Sequence, residues 1–181
     1  MTVIAAQFDS DGVRMVADSR STRLDGSIIR DDTKKLLRMP EILFGFGGCA
    51  ASAQRTAAIM ATCEHRTLGE PLIKRFIELA FPTIIGGLSK EFIDARTAGG
   101  KSLFIALMVT HTEVKTVLVF RDGTVNIQHH WQHGAYFVAK EHLKENYMRE
   151  TDGAKDARKF VEYAIASGFP GIGGPIQELR I

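Results

Sequence analysis

Apolar residues change their spacing four times along the chain, and each change predicts a change of secondary structure. Residues 3–8, VIAAQF, and 13–17, VRMVA, are short apolar runs separated by Asp-Ser-Asp-Gly. Asp11-Gly12 between two such runs predicts a β-hairpin. A polar stretch from Ser19 to Asp32 follows, with IIR as a short strand inside it. KKLLRM and ILFGFG flank Pro40 and predict another strand pair with a tight turn. Residues 50–64 are alanine-rich and predict a helix. In residues 70–94, Leu72, Ile73, Phe76, Ile77, Leu79 and Ala80 fall on one helical face. Pro82 and Gly86-Gly87 should kink or divide that helix.

The strand pattern returns in SLFIALMVT and KTVLVFRDGTVNI, with Asp122-Gly123 as a second hairpin turn. Two further helices are expected, from Ala135 to Tyr147 and from Ala154 to Ala166. The glycine-rich GFPGIGGP then leads into a last strand, IQELRI. Strands and helices in separate blocks predict an α+β fold rather than alternating βαβ units. Two antiparallel sheets with helices outside them satisfy the pattern. Neither a repeat nor a linker is evident, so one domain over residues 1–181 is expected.

Composition narrows the setting. The chain has 181 residues, 45% hydrophobic and 24% charged, which suits a packed globular protein without a disulfide staple. A formal net charge of +2, with both signs interspersed, gives no basis for a nucleic-acid or anionic-membrane partner. The apolar runs fall short of a membrane span, and no signal-peptide pattern is seen. Two cysteines, Cys49 and Cys63, do not make a disulfide framework, so a reducing, cytoplasmic setting is expected.

The chemistry starts at the second residue. Methionine is commonly removed before a small residue, and a chain beginning at Thr2 would carry an alcohol and a free α-amine on one residue. An α-amine titrates near neutral pH, as a general base needs to, and N-terminal threonine is a known activated nucleophile. A retained Met1 would leave that nitrogen acylated and without basicity. Taken alone, Thr2 reads first as a β-branched strand residue. Lys34 could favour the neutral amine by like-charge repulsion, and Asp18 could hold the lysine charged and oriented. Each is also an ordinary surface charge by sequence alone. Gly47-Gly48, between a strand and a helix, could present backbone N–H groups to an oxyanion, or could simply be a turn. His129, His130 and His133 match no metal-ligand spacing, and Cys49 carries no nucleophile signature. No cofactor or metal is expected.

Taken in order, these segments resemble the proteasome β-subunit family, closest to its compact bacterial heat-shock-protease type. TVIAAQFDSDGVRMVADSRST resembles the family's opening threonine, strand, glycine hairpin and A-D-x-x-x-T. DDTKKLLRM resembles its paired-lysine segment, FGFGGCAA its GGxA turn, and GGPIQELRI its closing glycine pair and strand. The resemblance implies an N-terminal nucleophile hydrolase fold, a four-layer αββα sandwich. It implies a threonine-type peptidase with Thr2 as nucleophile, Lys34 tuning the amine, Asp18 orienting Lys34 and Gly47 donating to the oxyanion. It further implies rings or stacked rings of identical subunits, an unfolded polypeptide substrate and an ATPase unfoldase as an optional partner. Three positions depart from the family's polar pattern and hold His133, Phe169 and Ile172. A ring-forming protein without turnover and a small-molecule amidase remain alternative readings on the same fold.

Overall fold

The computed structural model describes residues 2–23, 25–48, 58, 81–86, 88–122, 124–130, 134–153 and 155–181. Within them the apolar alternation at the N-terminus becomes a hairpin. Strands β1 (Ile4–Asp9) and β2 (Gly12–Ala17) pair antiparallel, from Ile4 opposite Ala17 to Asp9 opposite Gly12. The turn residues are Ser10 and Asp11, and Gly12 opens β2 at φ +122°. β3 (Ser21–Thr22) and β4 (Ile28–Arg30) form a small ribbon on which Ile28 and Ile29 are exposed. β5 (Leu36–Arg38) and β6 (Leu43–Gly47) flank the Pro40 turn, as their apolar spacing predicts.

Helical residues run Phe81–Gly86 (α1) and, separately, Lys90–Thr97 (α2). The break after Gly86 falls where glycine was expected to divide the helix. The Ser89 hydroxyl starts α2 anew by accepting from the Phe92 N–H, satisfying one of the unpaired donors of its first turn. The helix expected over 50–64, Ala58 apart, and the apolar face from Leu72 to Ala80 lie outside the described residues, as do Cys49, Cys63 and His133. Among the described residues no helix is long and apolar enough to cross a membrane.

β7 (Phe104–Val109), β8 (Val114–Val119) and β9 (Val125–His130) follow as an antiparallel meander. The helix expected from Ala135 to Tyr147 is corrected. Ala135–Val138 is a strand, β10, paired with β1, and α3 begins only at Glu141 and runs to Glu150. Its residues show why tertiary packing prevails. Tyr136 turns towards the space between the sheets, and Phe137 turns towards the helices, an alternation that a strand supplies and a helix does not. α4 (Ala157–Ala166) and β11 (Gln177–Arg180) complete the chain.

Two antiparallel sheets result, in the orders β10-β1-β2-β11 and β5-β6-β7-β8-β9. Ile4, Ala6, Val13, Met15 and Ala17 meet Leu36, Leu43, Leu107 and Val109 between them. Alternate residues of the first sheet, Val3, Ala5 and Val16, face α3 and α4 through Leu143, Tyr147, Phe160 and Val161. The far face of the second sheet carries Phe44, Phe46, Phe104 and Met108, with Leu88 packed on it. Both sheets are therefore apolar on both faces. Such sheets must be covered on each side, which makes the architecture an α+β sandwich with the sheets inside.

Phe160 is fully buried, stacked on Phe137 at 4.2 Å and against Tyr147 at 5.2 Å. Phe160→Ala should lower the unfolding free energy by ~3–5 kcal/mol in urea titrations, because the site loses both transfer energy and packing.

Candidate active site

The site lies where β1 begins, β2 ends and β6 ends. Asp18 follows directly on β2, and its carboxylate is completely buried. Oδ1 accepts from the Val3 N–H at 2.9 Å and from Lys35 Nζ at 2.7 Å. Oδ2 accepts from the Gly173 N–H at 3.2 Å, and the Asp18 N–H donates to the Val3 carbonyl at 3.2 Å. One carboxylate thus binds the start of the chain, a buried cation and the loop before the last strand. Lone-pair satisfaction of this kind is what permits a carboxylate to sit without water.

The cation is Lys35, not Lys34, and this corrects the sequence expectation. Lys35 is buried beside Asp18, with side-chain exposures of 6% and 0%, whereas Lys34 is exposed. Neighbouring residues of an extended segment point to opposite sides, so only one of the two lysines can enter. The apolar pattern could not say which. Leu36 packs between the sheets while Leu37 packs on the far face of the second sheet, so either parity looks inward. Burial pushes the Lys35 ammonium below the usual lysine range, and the Asp18 charge and hydrogen bond act against that fall.

Thr2 is half-buried, one residue before the Val3 N–H that Asp18 holds. Its side chain rests on Gly47, the last residue of β6. A Cβ added at Gly47 would lie 2.9 Å from Thr2 Cβ and 3.2 Å from its Cγ2. Glycine is needed there for close approach, whatever the turn beyond it does. Gly48 follows at φ +140°. Thr2, Asp18 and Gly47 are therefore brought together, with Lys35 in place of Lys34.

The glycine loop closes the other side. Gly173 accepts from the N–H groups of Ser19 and Arg20 at 3.1 and 2.8 Å. Arg20 makes a two-pronged ion pair with Asp31 and reaches the Ile172 carbonyl. A Cβ on Gly173, at φ +155°, would fall 2.5 Å from Arg20 Cζ. Ile172 and Phe169 themselves join the apolar cluster under α3 and α4, and Phe169 also lies against His142 and Lys140. Away from this site, His130 bonds Thr116 at 2.8 Å and packs on Tyr136, and its neighbour His129 is exposed. Among the described residues no cluster of three metal-ligating side chains occurs.

The architecture is a sandwich of two antiparallel sheets, with the buried Asp18–Lys35 pair beside the start of β1. The chain has the fold of the proteasome β-subunit and HslV type, the N-terminal nucleophile hydrolase fold, and by fold it stands with those proteins. It is similar over 99% of both chains to eukaryotic HslV from Trypanosoma brucei, at 16% identity and a TM-score of 0.58. BPH from Thiobacillus denitrificans matches 100% of this chain and 97% of its own, at 16% identity and a TM-score of 0.65. A mutant of Anbu from Hyphomicrobium sp. strain MC1 matches 100% of this chain and 81% of its own, at 14% identity and a TM-score of 0.58. No family model matches the sequence, and no curated protein matches it.

Removing one partner of a buried ion pair strands the other, a loss of about 3–5 kcal/mol. Asp18→Asn and Lys35→Met should each lose that order of stability in urea unfolding, and the double variant should lose less than the sum. Lys34→Ala should stay within about 0.5 kcal/mol of wild type.

Proposed function

We propose that this chain is a threonine-type peptidase subunit that cleaves unfolded polypeptide, with Thr2 as nucleophile after removal of Met1. The observation that carries the reading is the shared carboxylate. Asp18 Oδ1 holds the Val3 N–H and the Lys35 ammonium together, so a buried cation lies next to the residue bearing the terminal amine. A cation there favours the neutral, basic amine. The amine takes the Thr2 hydroxyl proton as Oγ attacks a peptide carbonyl. The family resemblance gives the resulting oxyanion to the backbone N–H of Gly47. On collapse, the C–N bond breaks and the ammonium protonates the leaving amine. The ester left on Thr2 is then attacked by water, with the amine again as base, and Oγ recovers its proton.

The resemblance to the proteasome family supports a further reading, that the subunit works in a ring or stacked rings of its own copies. Enclosure of that kind would admit only unfolded chains, with or without an ATPase unfoldase. We also read the chain as one domain and as cytoplasmic.

One observation favours a second reading, a ring-forming protein without turnover. Ile172 is 2% exposed and Phe169 half-buried, both packed into an apolar cluster, so neither supplies a polar group to the terminal amine. The two readings separate in the intact mass of purified protein, with and without an electrophilic peptide inhibitor. The peptidase reading expects a chain beginning at Thr2 that gains one inhibitor adduct at that residue. It also expects Thr2→Ala to lose peptide hydrolysis by about ten-thousandfold or more. Retained Met1, labelling at another residue, or an active alanine variant would remove it.

A further inference from the structure

β11 faces the second sheet with Gln177, Leu179 and Ile181. Leu179 and Ile181 pack between the sheets, as an inward-facing strand surface should. Gln177, on the same side and opposite Ala17 at the end of β2, is polar. Gln177 is half-buried, and bonding to protein offsets the partial loss of water around its amide.

Both ends of its amide are used on one short segment. Gln177 Oε1 accepts from the Lys35 N–H at 3.0 Å, and Nε2 donates to the Thr33 carbonyl at 2.6 Å. The amide's orientation is forced, since a backbone N–H can only donate and a carbonyl can only accept. The pair of bonds resembles one rung of a β-ladder, made by a side chain. The same segment is bound from β6, where the Phe46 N–H donates to the Lys35 carbonyl at 3.1 Å. Thr33, Lys34 and Lys35 are therefore held in a single register, with Lys35 buried and Lys34 exposed. A slip of one residue would exchange them.

We propose that Gln177 is the positioning residue that selects Lys35 over Lys34 as the partner of Asp18. Both hydrogen bonds of its amide go to the backbone of the lysine segment, and it acts through that segment. Its consequence for turnover rests on the peptidase reading, but the selection of the lysine does not.

Gln177→Met keeps the length of the side chain and removes both bonds. Gln177→Glu keeps the acceptor for the Lys35 N–H and loses the donor to the Thr33 carbonyl. Each folded protein is treated with an amine-acetylating reagent, and labelling at each lysine is read by peptide mass. Wild type should label at Lys34 and stay protected at Lys35. Gln177→Met should raise Lys35 labelling towards that of Lys34, and Gln177→Glu should raise it less. Lys115, which is 6% exposed on β8, is the internal control and should stay protected. Unchanged Lys35 protection would overturn the proposal. So would a parallel rise at Lys35 and Lys115, because that reports general loosening. In the peptidase assay, Gln177→Met should lower kcat with KM nearly unchanged. It should also move the acid limb of the kcat profile to higher pH, since an amine without a neighbouring cation binds its proton more tightly. A wild type without threonine-dependent turnover would defeat the peptidase reading and leave the labelling result to decide the clamp.

Discussion

Everything at the working end of the sandwich depends on burying the Asp18 carboxylate without leaving it unpaired. A carboxylate in a low-dielectric interior is costly unless both oxygens are hydrogen-bonded and its charge is balanced. Asp18 meets that demand with two backbone N–H groups and one ammonium. Those three donors come from the start of β1, the loop before β11 and the segment entering β5. Satisfying one side chain therefore fixes three distant parts of the chain around one point. That is a reason for a buried ion pair other than stability, since an apolar replacement could pack as well.

Close backbone approach is the second constraint, and glycine meets it in different ways at Gly47 and Gly173. Gly47 lets β6 touch Thr2. Gly173 lets its loop wrap the Arg20 guanidinium while donating to Asp18. The Arg20–Asp31 pair then fastens the polar stretch after β2 to that loop. Arg20 also pulls the Asp31 carboxyl below its usual range through their hydrogen bonds. Two cations thus serve the same corner by different means. Lys35 neutralises a buried charge, and Arg20 clamps a part-buried loop.

Much of this was legible in the residues themselves. Apolar runs gave all the longer strands but β10, glycine gave the turns, and the family resemblance singled out Thr2, Asp18 and Gly47, which the fold brings together. Three features were not legible. Tyr136 and Phe137 lie in a stretch whose helical neighbours mask its alternation, and only the free side of β1 explains why it becomes a strand. The choice between Lys34 and Lys35 is also silent in sequence, because β5 is covered on both faces and its leucines give no parity. Gln177 carried no signal at all, being one polar residue in a short final strand.

Apart from β10, the elements and the chemistry available to them were set by the residues locally. Those follow from local rules: side-chain period, backbone freedom of glycine, and the functional groups each residue brings. Tertiary structure decided which of those groups meet. Hydrogen-bond partners such as Gln177 and the Lys35 N–H are 142 residues apart, and no local rule relates them. Their pairing is set when two sheets close on a common interior and every buried polar atom must find a partner there. That requirement, acting across the whole chain, put Lys35 beside Asp18 and left Lys34 in water.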